Sequence, residues 1–330
     1  MINICLFGAG LIGSVHAGNL NRHAKVNFRY IVDPRPEAAE RIAKLTGARI
    51  VDTRTALSDP ELNAVMIASA TKTHAEIATA AAARGKAIFC EKPIDLDLGR
   101  TDACLAAVRK AGVIFQIGFN RRFDPSFRAL KKRLEAEEIG SVEQVIITSR
   151  DPEPESEEAL ASGGGVFREM TIHDFDMARH LLGEEPAELF ATGSSLVSPA
   201  YAKLGDYDTA MFVMRTASGR QCHINNSVRA SYGYDQRIEV HGSKGMLKAG
   251  NRAPTSVELS DAGGVSTDKP LYFFVERYAE SYAAELDHFV ECVETGRAPE
   301  VGADDGRKAM ILCEAALASA KSGRFEPIAY

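Results

Sequence analysis

The fold is indicated by the stretch Ile2-Asn3-Ile4-Cys5-Leu6-Phe7-Gly8-Ala9-Gly10-Leu11-Ile12-Gly13. Its first half predicts a short buried strand, and a helical pattern follows the last glycine. Glycines spaced G-x-G-x-x-G between a strand and a helix let the backbone approach a pyrophosphate at the helix N-terminus. The stretch therefore predicts a dinucleotide-binding turn.

An acidic residue follows the next predicted strand, at the spacing that this motif requires. The strand spans Val26 to Val32, and Asp33 lies 20 residues after Gly13. A carboxylate there accepts hydrogen bonds from the adenosine ribose and repels a 2′-phosphate, so the pattern favours NAD over NADP. Arg35 is either a solvated loop charge, which we favour, or a partner for that phosphate.

Strands and helices continue to alternate up to residue 119. Further strands are predicted near residues 48–51, 64–70, 86–90 and 113–119. About six strands with interleaved helices form a doubly wound sheet, so residues 1–119 are predicted to be a Rossmann domain. Such sheets bind ligands at the carboxyl ends of their strands, where Thr71-Lys72-Thr73-His74 and Glu91-Lys92-Pro93 are expected. Lys92 is either a surface charge or a group that contacts the substrate.

Residues 120–330 are predicted to be a separate α+β domain. Helices are expected near 124–138, 275–294 and 304–322, and strands near 142–149, 188–194, 208–216, 220–228 and 236–241. Short alternating strands indicate a large open, mostly antiparallel sheet. One face of such a sheet needs cover, and we expect a second subunit to supply it in a homo-oligomer.

Candidate catalytic side chains, acidic residues and histidines, occur in and just after the stretch Gly163-Gly164-Gly165-Val166-Phe167-Arg168-Glu169-Met170-Thr171-Ile172-His173-Asp174-Phe175-Asp176. At helical spacing Glu169, His173, Asp176 and His180 share one face. A carboxylate four residues before a histidine can accept its ring N–H, which fixes the tautomer of a proton acceptor. A solvated polar face and a zinc site fit the same spacing.

Composition narrows the class of protein. The net charge of −6 disfavours nucleic-acid binding, which needs a basic surface. The six cysteines include no C-x-x-C pair, which is typical of a reducing compartment. Because no apolar run is long enough to span a bilayer and no signal peptide is recognised, we expect a cytoplasmic protein without a membrane partner.

Taken whole, the chain resembles the glucose–fructose oxidoreductase and inositol dehydrogenase family, and within it the inositol 2-dehydrogenases. The glycine turn and Glu91-Lys92-Pro93 are shared by the broad family. The resemblance also rests on Thr73-His74 and Gly118-Phe119-Asn120-Arg121-Arg122-Phe123-Asp124. The segments that resemble the inositol enzymes specifically are Met170-Thr171-Ile172-His173-Asp174-Phe175-Asp176-Met177-Ala178-Arg179 and Tyr232-Gly233-Tyr234-Asp235-Gln236-Arg237-Ile238-Glu239-Val240-His241-Gly242.

The resemblance implies a homotetrameric enzyme of polyol metabolism that oxidises a ring secondary alcohol with NAD, as in myo-inositol to scyllo-inosose. It implies that Lys92 is the catalytic lysine, His173 the general base and Glu169 the acidic partner, which is usually aspartate in the family. The implied cofactor contacts are Gly8, Gly10, Leu11, Ile12, Gly13, Asp33, Arg35, Thr71, Thr73, His74, Glu91 and Lys92. The implied substrate contacts are Lys92, Asn120, Arg121, Asp151, Glu169, His173, Tyr232 and Tyr234.

Three other functions stay open. A dehydrogenase acting on scyllo-inositol or on an aldose would use the same residues. A non-catalytic NAD-binding sensor would need neither Lys92 nor His173. A metal-dependent hydrolase or lyase would use the Glu169/His173 face, whereas the dehydrogenase needs no metal because Lys92 supplies the electrophile.

Overall fold

The computed structural model describes residues 1–157, 160 and 163–330, which divide into two compact units. Unit 1 contains Met1–Phe123 and Ser281–Lys308, and unit 2 contains Asp124–Glu280 and Ala309–Tyr330. The sequence pattern predicts a single boundary between residues 119 and 120, whereas in the structure residues 281–308 return to unit 1.

Unit 1 is built on a six-stranded parallel sheet in the order β3-β2-β1-β4-β5-β6. The strands are β1 (Ile2–Phe7), β2 (Val26–Val32), β3 (Arg49–Ile50), β4 (Ala64–Ile67), β5 (Ala87–Glu91) and β6 (Phe115–Gly118). The helices that follow them are α1 (Leu11–Arg22), α2 (Pro36–Thr46), α3 (Thr53–Ser58), α4 (His74–Ala82) and α5 (Leu98–Ala111). The strand order reverses beside β1, which is where doubly wound sheets bind ligands. The predicted fold class is confirmed for this unit.

The hydrophobic core of unit 1 explains why a late segment of the chain belongs to it. Helix α10 (Ala279–Thr295) places Leu286, Phe289 and Val290 in the same core cluster as Ile4 of β1. These three residues follow the spacing of one helix face. That face is apolar because it packs on the sheet.

Unit 2 is built on a seven-stranded sheet in the order β12-β11-β7-β10-β9-β8-β15. The strands are β7 (Val142–Arg150), β8 (Pro186–Ser194), β9 (Thr209–Thr216), β10 (Gln221–Ser227), β11 (Asp235–Gly242), β12 (Gly245–Ala249) and β15 (Glu326–Pro327). Only the β7–β10 pair is parallel, so the sheet is mostly antiparallel, as predicted. The sequence analysis did not predict β12, β15 or the separate hairpin of β13 (Glu258–Asp261) and β14 (Gly264–Thr267).

The helices of unit 2 differ in detail from the prediction. They are α6 (Pro125–Glu135), α7 (Ile172–Leu182), α8 (Pro199–Lys203), α9 (Phe274–Arg277) and the part of α11 (Ala303–Ser322) from Ala309 onwards. The helix expected near 275–294 is two helices, α9 and α10. None of the helices in the described part of the chain is both long and apolar enough to cross a bilayer.

Helix α6 begins at a buried ion pair. Asp124 accepts hydrogen bonds from the backbone N–H groups of Ser126 and Phe127, at 3.0 and 3.1 Å, and its other oxygen accepts one from the Arg277 guanidinium. Both charged side chains are 1% exposed. Removing one partner of such a pair costs roughly 3–5 kcal/mol of stability, because the remaining charge is left in the protein interior.

Candidate active site

The glycine turn of unit 1 is packed backbone against backbone. Gly8 has a φ of +102°, and a Cβ there would lie 2.3 Å from the carbonyl oxygen of Ala68. A Cβ at Gly13 would lie 2.1 Å from the carbonyl oxygen of Gly8. Only glycine fits at these two positions. At Gly10 the nearest atom to a Cβ is 3.9 Å away, so the backbone borders open space just where α1 begins.

Asp33 is tied to the glycine turn by a direct hydrogen bond. Its Oδ2 accepts from the backbone N–H of Ala9 at 2.7 Å, and its Oδ1 accepts from the backbone N–H and the Nε of Arg35 at 2.8 and 3.1 Å. Burial opposes ionisation of Asp33, but the bonds from Arg35 and Ala9 outweigh it and hold the pKa below its usual value. Arg35 is therefore an ion-pair partner of Asp33 rather than an isolated loop charge.

These features of unit 1 fit a dinucleotide. The first N–H groups of a helix have no partner within it and can donate hydrogen bonds to an anion such as a pyrophosphate. The glycines leave the backbone of the turn uncovered, and Asp33 supplies an anionic hydrogen-bond acceptor beside it. The turn and Asp33 would hold NAD.

The loop after β4 contains predicted cofactor contacts. Thr71–Thr73 forms a 3-10 turn, and the Thr73 hydroxyl lies 2.7 Å from that of Ser69. His74 is buried, with its ring nitrogens 2.9 Å from the carbonyl oxygens of Ser69 and Pro93. The imidazole thus connects the loop after β4 to the loop after β5. Contact of Thr71, Thr73 and His74 with the cofactor stays a prediction.

Strand β5 ends in a buried carboxylate followed by Lys92. Glu91 is 7% exposed, its Oε1 lies 2.7 Å from Nε2 of His16, and its Oε2 accepts from the backbone N–H of Lys92 at 3.3 Å. The Lys92 side chain is half-buried, and the peptide bond to Pro93 is cis. The sequence analysis assigned Glu91 a cofactor contact and missed its contact with His16.

The predicted helix of unit 2 starts with a π-helical turn, Phe167–Thr171, before α7. A π turn has i→i+5 hydrogen bonds, so it shifts which residues share a face. Asp176 is 1% exposed and lies 3.7 Å from Nη1 of Arg179, while Glu169 and His173 are half-buried. Asp176 is therefore not part of a solvated polar face, whereas Glu169 and His173 keep partial exposure.

Contacts on several sides hold the π turn. The Phe167 ring stacks on Tyr207, with ring centroids 5.3 Å apart, and its carbonyl oxygen accepts from the Cys313 thiol at 3.1 Å. The Thr171 hydroxyl donates to the Asn226 side chain at 2.7 Å. Glu169, in the middle of the turn, is thus carried on a fixed backbone.

A partly open pocket lies beside this turn. It is lined by Asp151, Glu155, Leu160, Gly163, Gly165, Val166, Glu169, Met170, Tyr201 and Val228. Asp151 and Glu169 were predicted as substrate contacts, whereas Glu155 and Tyr201 were missed because nothing local in the sequence relates them to Glu169. Three carboxylates suit a ligand rich in hydroxyl groups, which donate hydrogen bonds.

The side chain of Glu169 packs against Gly163 in this pocket. A Cβ on Gly163 would lie 2.9 Å from Cγ of Glu169 and 3.2 Å from its Oε1. The extra methylene of glutamate, relative to the aspartate usual in the family, therefore lies where only a glycine leaves room.

Substrate contacts were also predicted for four residues that are not among those lining this pocket: Asn120, Arg121, Tyr232 and Tyr234. Asn120 and Arg121 are buried in a 3-10 turn of unit 1. Tyr232 is 40% exposed, and its hydroxyl accepts from Nη1 of Arg150 at 2.9 Å and donates to Oδ2 of Asp235 at 2.6 Å.

Tyr234 is buried and packs edge-on against Tyr278, with ring centroids 6.0 Å apart. Its contact with a substrate, like that of Tyr232, stays a prediction.

The hypothesis that Glu169 and His173 bind zinc is not supported by this geometry. In the ranges that the structure describes, the one group of three or more histidine, cysteine or carboxylate side chains close enough to hold a metal ion is His16, Glu91 and Glu285. It lies in unit 1 and includes neither Glu169 nor His173.

Known proteins resemble this chain over both units. It is 47% identical to an inositol 2-dehydrogenase of Rhizobium meliloti strain 1021 over 322 residues, 97% of each protein. The myo-inositol dehydrogenase of Corynebacterium glutamicum has the same fold, with a TM-score of 0.96, 40% identity, and coverage of 100% of this chain and 99% of that one. The scyllo-inositol dehydrogenase of Lactobacillus casei, solved with NAD(H) and scyllo-inositol, gives a TM-score of 0.92 at 25% identity and covers 100% of both chains.

Family models match each part of the chain. Residues 2–119 match the oxidoreductase family with an NAD-binding Rossmann fold, and residues 127–248 match the GFO/IDH/MocA C-terminal domain. The family resemblance and the NAD cofactor inferred from the sequence are confirmed. The chain therefore belongs to the GFO/IDH/MocA family and is an NAD-dependent oxidoreductase.

Proposed function

We propose that this enzyme oxidises a ring secondary alcohol of a cyclitol, converting myo-inositol to scyllo-inosose. The observation that carries the proposal is the pocket beside the π turn, where Asp151 and Glu169 offer hydrogen-bond acceptors. Glu169 lies four residues before His173. The 47% identity to an inositol 2-dehydrogenase supports the same substrate class.

In the proposed reaction, His173, Lys92 and Glu169 have different roles. Bound NAD supplies the hydride acceptor. His173 takes the proton of the hydroxyl group, and the Lys92 ammonium donates a hydrogen bond to the same oxygen and stabilises its developing negative charge. Glu169 orients the imidazole of His173 and stabilises its positive charge.

The enzyme is proposed to prefer NAD to NADP. Asp33 is held as an anion beside the glycine turn, and a 2′-phosphate would meet its charge. The pairing of Arg35 with this carboxylate supports the preference. The Arg35 guanidinium is the cation that could bind a 2′-phosphate, and it is already paired with Asp33.

A cytoplasmic homo-oligomer, tetrameric by family resemblance, completes the proposal. On one face of the unit 2 sheet, Ile146, Met211, Val213 and Met246 are each 38–51% exposed. Val213, His223 and Ile146 lie in one cross-strand row over β9, β10 and β7. Exposed apolar side chains clustered on a sheet favour association. All six cysteines are buried thiols, which suits a reducing compartment.

The experiment that tests the function is the initial rate of NAD⁺ reduction with myo-inositol, scyllo-inositol, D-glucose and L-glucose. We expect myo-inositol to give the highest kcat/KM. A higher value with scyllo-inositol, which the Lactobacillus casei enzyme binds, or with an aldose would replace the proposed substrate. Tight NAD⁺ binding without turnover of any of them would favour a sensor.

His173→Ala is expected to lower kcat roughly 10²–10⁴-fold, the usual contribution of a positioned acid–base group. NAD⁺ affinity should stay the same, since the glycine turn and Asp33 belong to unit 1. His180→Ala, on the same helix, is the matched control and should keep near-normal turnover. Steady-state kinetics of the two variants would show whether His173 is the base; equal activities would rule it out.

Asp33→Ser is expected to lower kcat/KM for NAD⁺ about 10- to 100-fold, because a charge-assisted hydrogen bond contributes about 1.5–3 kcal/mol. The same variant should raise kcat/KM for NADP⁺, since Arg35 is released from its pair. Arg35→Ser keeps the carboxylate and should keep the NAD⁺ preference. An unchanged ratio of the two cofactors in Asp33→Ser would contradict the assignment.

Glu169→Asp is expected to change the ratio of kcat/KM between myo-inositol and scyllo-inositol about tenfold, because one methylene moves the carboxylate within the pocket. Glu188→Asp, in a surface ion pair with Arg215, is the control. If the ratio stayed constant, the glutamate would be a structural variation without effect on specificity.

Val213→Lys is expected to reduce the molar mass in solution, measured by light scattering, because it places a charge in the exposed row of the sheet. Val265→Lys makes the same change at an exposed position of the separate hairpin and should leave the mass unaltered. A wild-type protein that is a monomer at micromolar concentration would refute the oligomer.

A further inference from the structure

A buried cluster in unit 1 has no part in the chemistry described above. It consists of His16 on α1, Glu91 at the end of β5 and Glu285 on α10, and one polar atom of each lies within 4.8 Å of those of the other two. His16 and Glu285 are 0% exposed and Glu91 is 7% exposed. We call these three residues the His16 cluster.

One end of the cluster reaches the main chain of Lys92. Glu91 lies 2.7 Å from Nε2 of His16 through one oxygen and accepts the Lys92 N–H at 3.3 Å through the other. Gly118 is paired with Glu91 across β5 and β6, and a Cβ there would lie 2.8 Å from Oε2 of Glu91. The glycine leaves the space that this carboxylate occupies.

The other end of the cluster is a carboxyl group without a charge partner. In the described part of the chain, neither oxygen of Glu285 has a hydrogen-bond partner, and neither does Nδ1 of His16. An ionised carboxylate in such surroundings is very costly, so the group takes up a proton. Burial, and then the charge of Glu91, raise the pKa of Glu285 well above its usual value.

The surroundings hold the main chain of Glu285 and the ring of His16 in place. The backbone carbonyl of Glu285 accepts from Nε2 of Gln116 at 2.9 Å. The His16 ring lies edge-on to Phe89 and Tyr282, with centroids 5.2 and 5.7 Å apart. When Nε2–H donates to Glu91, Nδ1 is an acceptor, and the O–H of a neutral Glu285 is the donor that the cluster itself can offer.

We propose that Glu285 acts as a neutral carboxyl group that, through His16 and Glu91, holds the main chain at Lys92 in its working position. Glu285 and His16 are positioning residues, and the inference rests on the proposed catalytic role of Lys92. A divalent cation is the competing occupant, because one imidazole and two carboxylates can bind zinc. The direct His16–Glu91 contact at 2.7 Å favours the proton, since a cation held by Nε2 of His16 together with both carboxylates would replace that hydrogen bond.

The kinetic test compares Glu285→Gln, Glu285→Leu and Lys92→Ala in the full-length enzyme. Glutamine preserves a neutral group with a donor, so we expect kcat within a factor of about three of the wild type. Leucine removes the polar group, and a displaced lysine should lower kcat about tenfold or more with little change in the affinity for NAD⁺. Glu291→Gln, an exposed position of the same helix, is the control and should be neutral.

The outcomes separate the two hypotheses. If Lys92→Ala is inactive while Glu285→Leu keeps wild-type kcat, the positioning role is wrong and the proposed function stands. If Lys92→Ala keeps its activity, the proposed role of the lysine fails, whatever the Glu285 variants do. A Glu285→Gln enzyme as impaired as Glu285→Leu would overturn the neutral carboxyl.

A spectroscopic measurement decides the protonation state even if Glu285→Leu does not fold. The infrared spectrum of the wild type at neutral pH should contain a protonated-carboxyl C=O stretch that Glu285→Gln lacks. The absence of that difference would refute the proposal. Metal analysis of the purified enzyme should find no stoichiometric ion; one equivalent that is lost in Glu285→Gln would replace the proton with a cation.

Discussion

The backbone contact among Gly8, Gly13 and Ala68 is the constraint on which unit 1 depends. Strand β1, helix α1 and the end of β4 meet at distances that exclude any side chain at the two glycines. This close packing brings the first N–H groups of α1 beside Asp33, which the Ala9 N–H then holds. The proposed anion site at the helix N-terminus and the proposed ribose-binding carboxylate both follow from one steric requirement.

Helix α1 also connects the glycine turn to the end of β5. His16 lies one turn beyond Gly13, and its imidazole reaches the carboxylate of Glu91, which accepts the N–H of Lys92. The loop with the proposed electrophile is thus connected through buried polar groups to the helix that begins at the glycine turn. His74 connects it to the end of β4 by a second route.

In unit 2, partly buried acidic side chains line a pocket that is open to a ligand. The π turn is held by Phe167 and Thr171, so Glu169 enters the pocket from a fixed backbone. Gly163 provides the room for the longer side chain. Family membership defines the dinucleotide chemistry. In the function that we propose, the choice among polyols depends on such contacts, because each hydroxyl group needs its own hydrogen-bond acceptor.

The sequence by itself determined the elements with strong local signals. The strand, glycine turn and helix at Gly8–Gly13, the acid at Asp33 and the change from a parallel to a mostly antiparallel sheet could all be predicted, because periodicity and glycine spacing are local properties. Only the tertiary structure decided that α10 packs in unit 1, that a π turn alters the Glu169/His173 face, and that Glu155 and Tyr201 share a pocket with Glu169. It also brought His16, Glu91 and Glu285 together from distant parts of the chain. Long-range packing sets these contacts, and no local pattern encodes it.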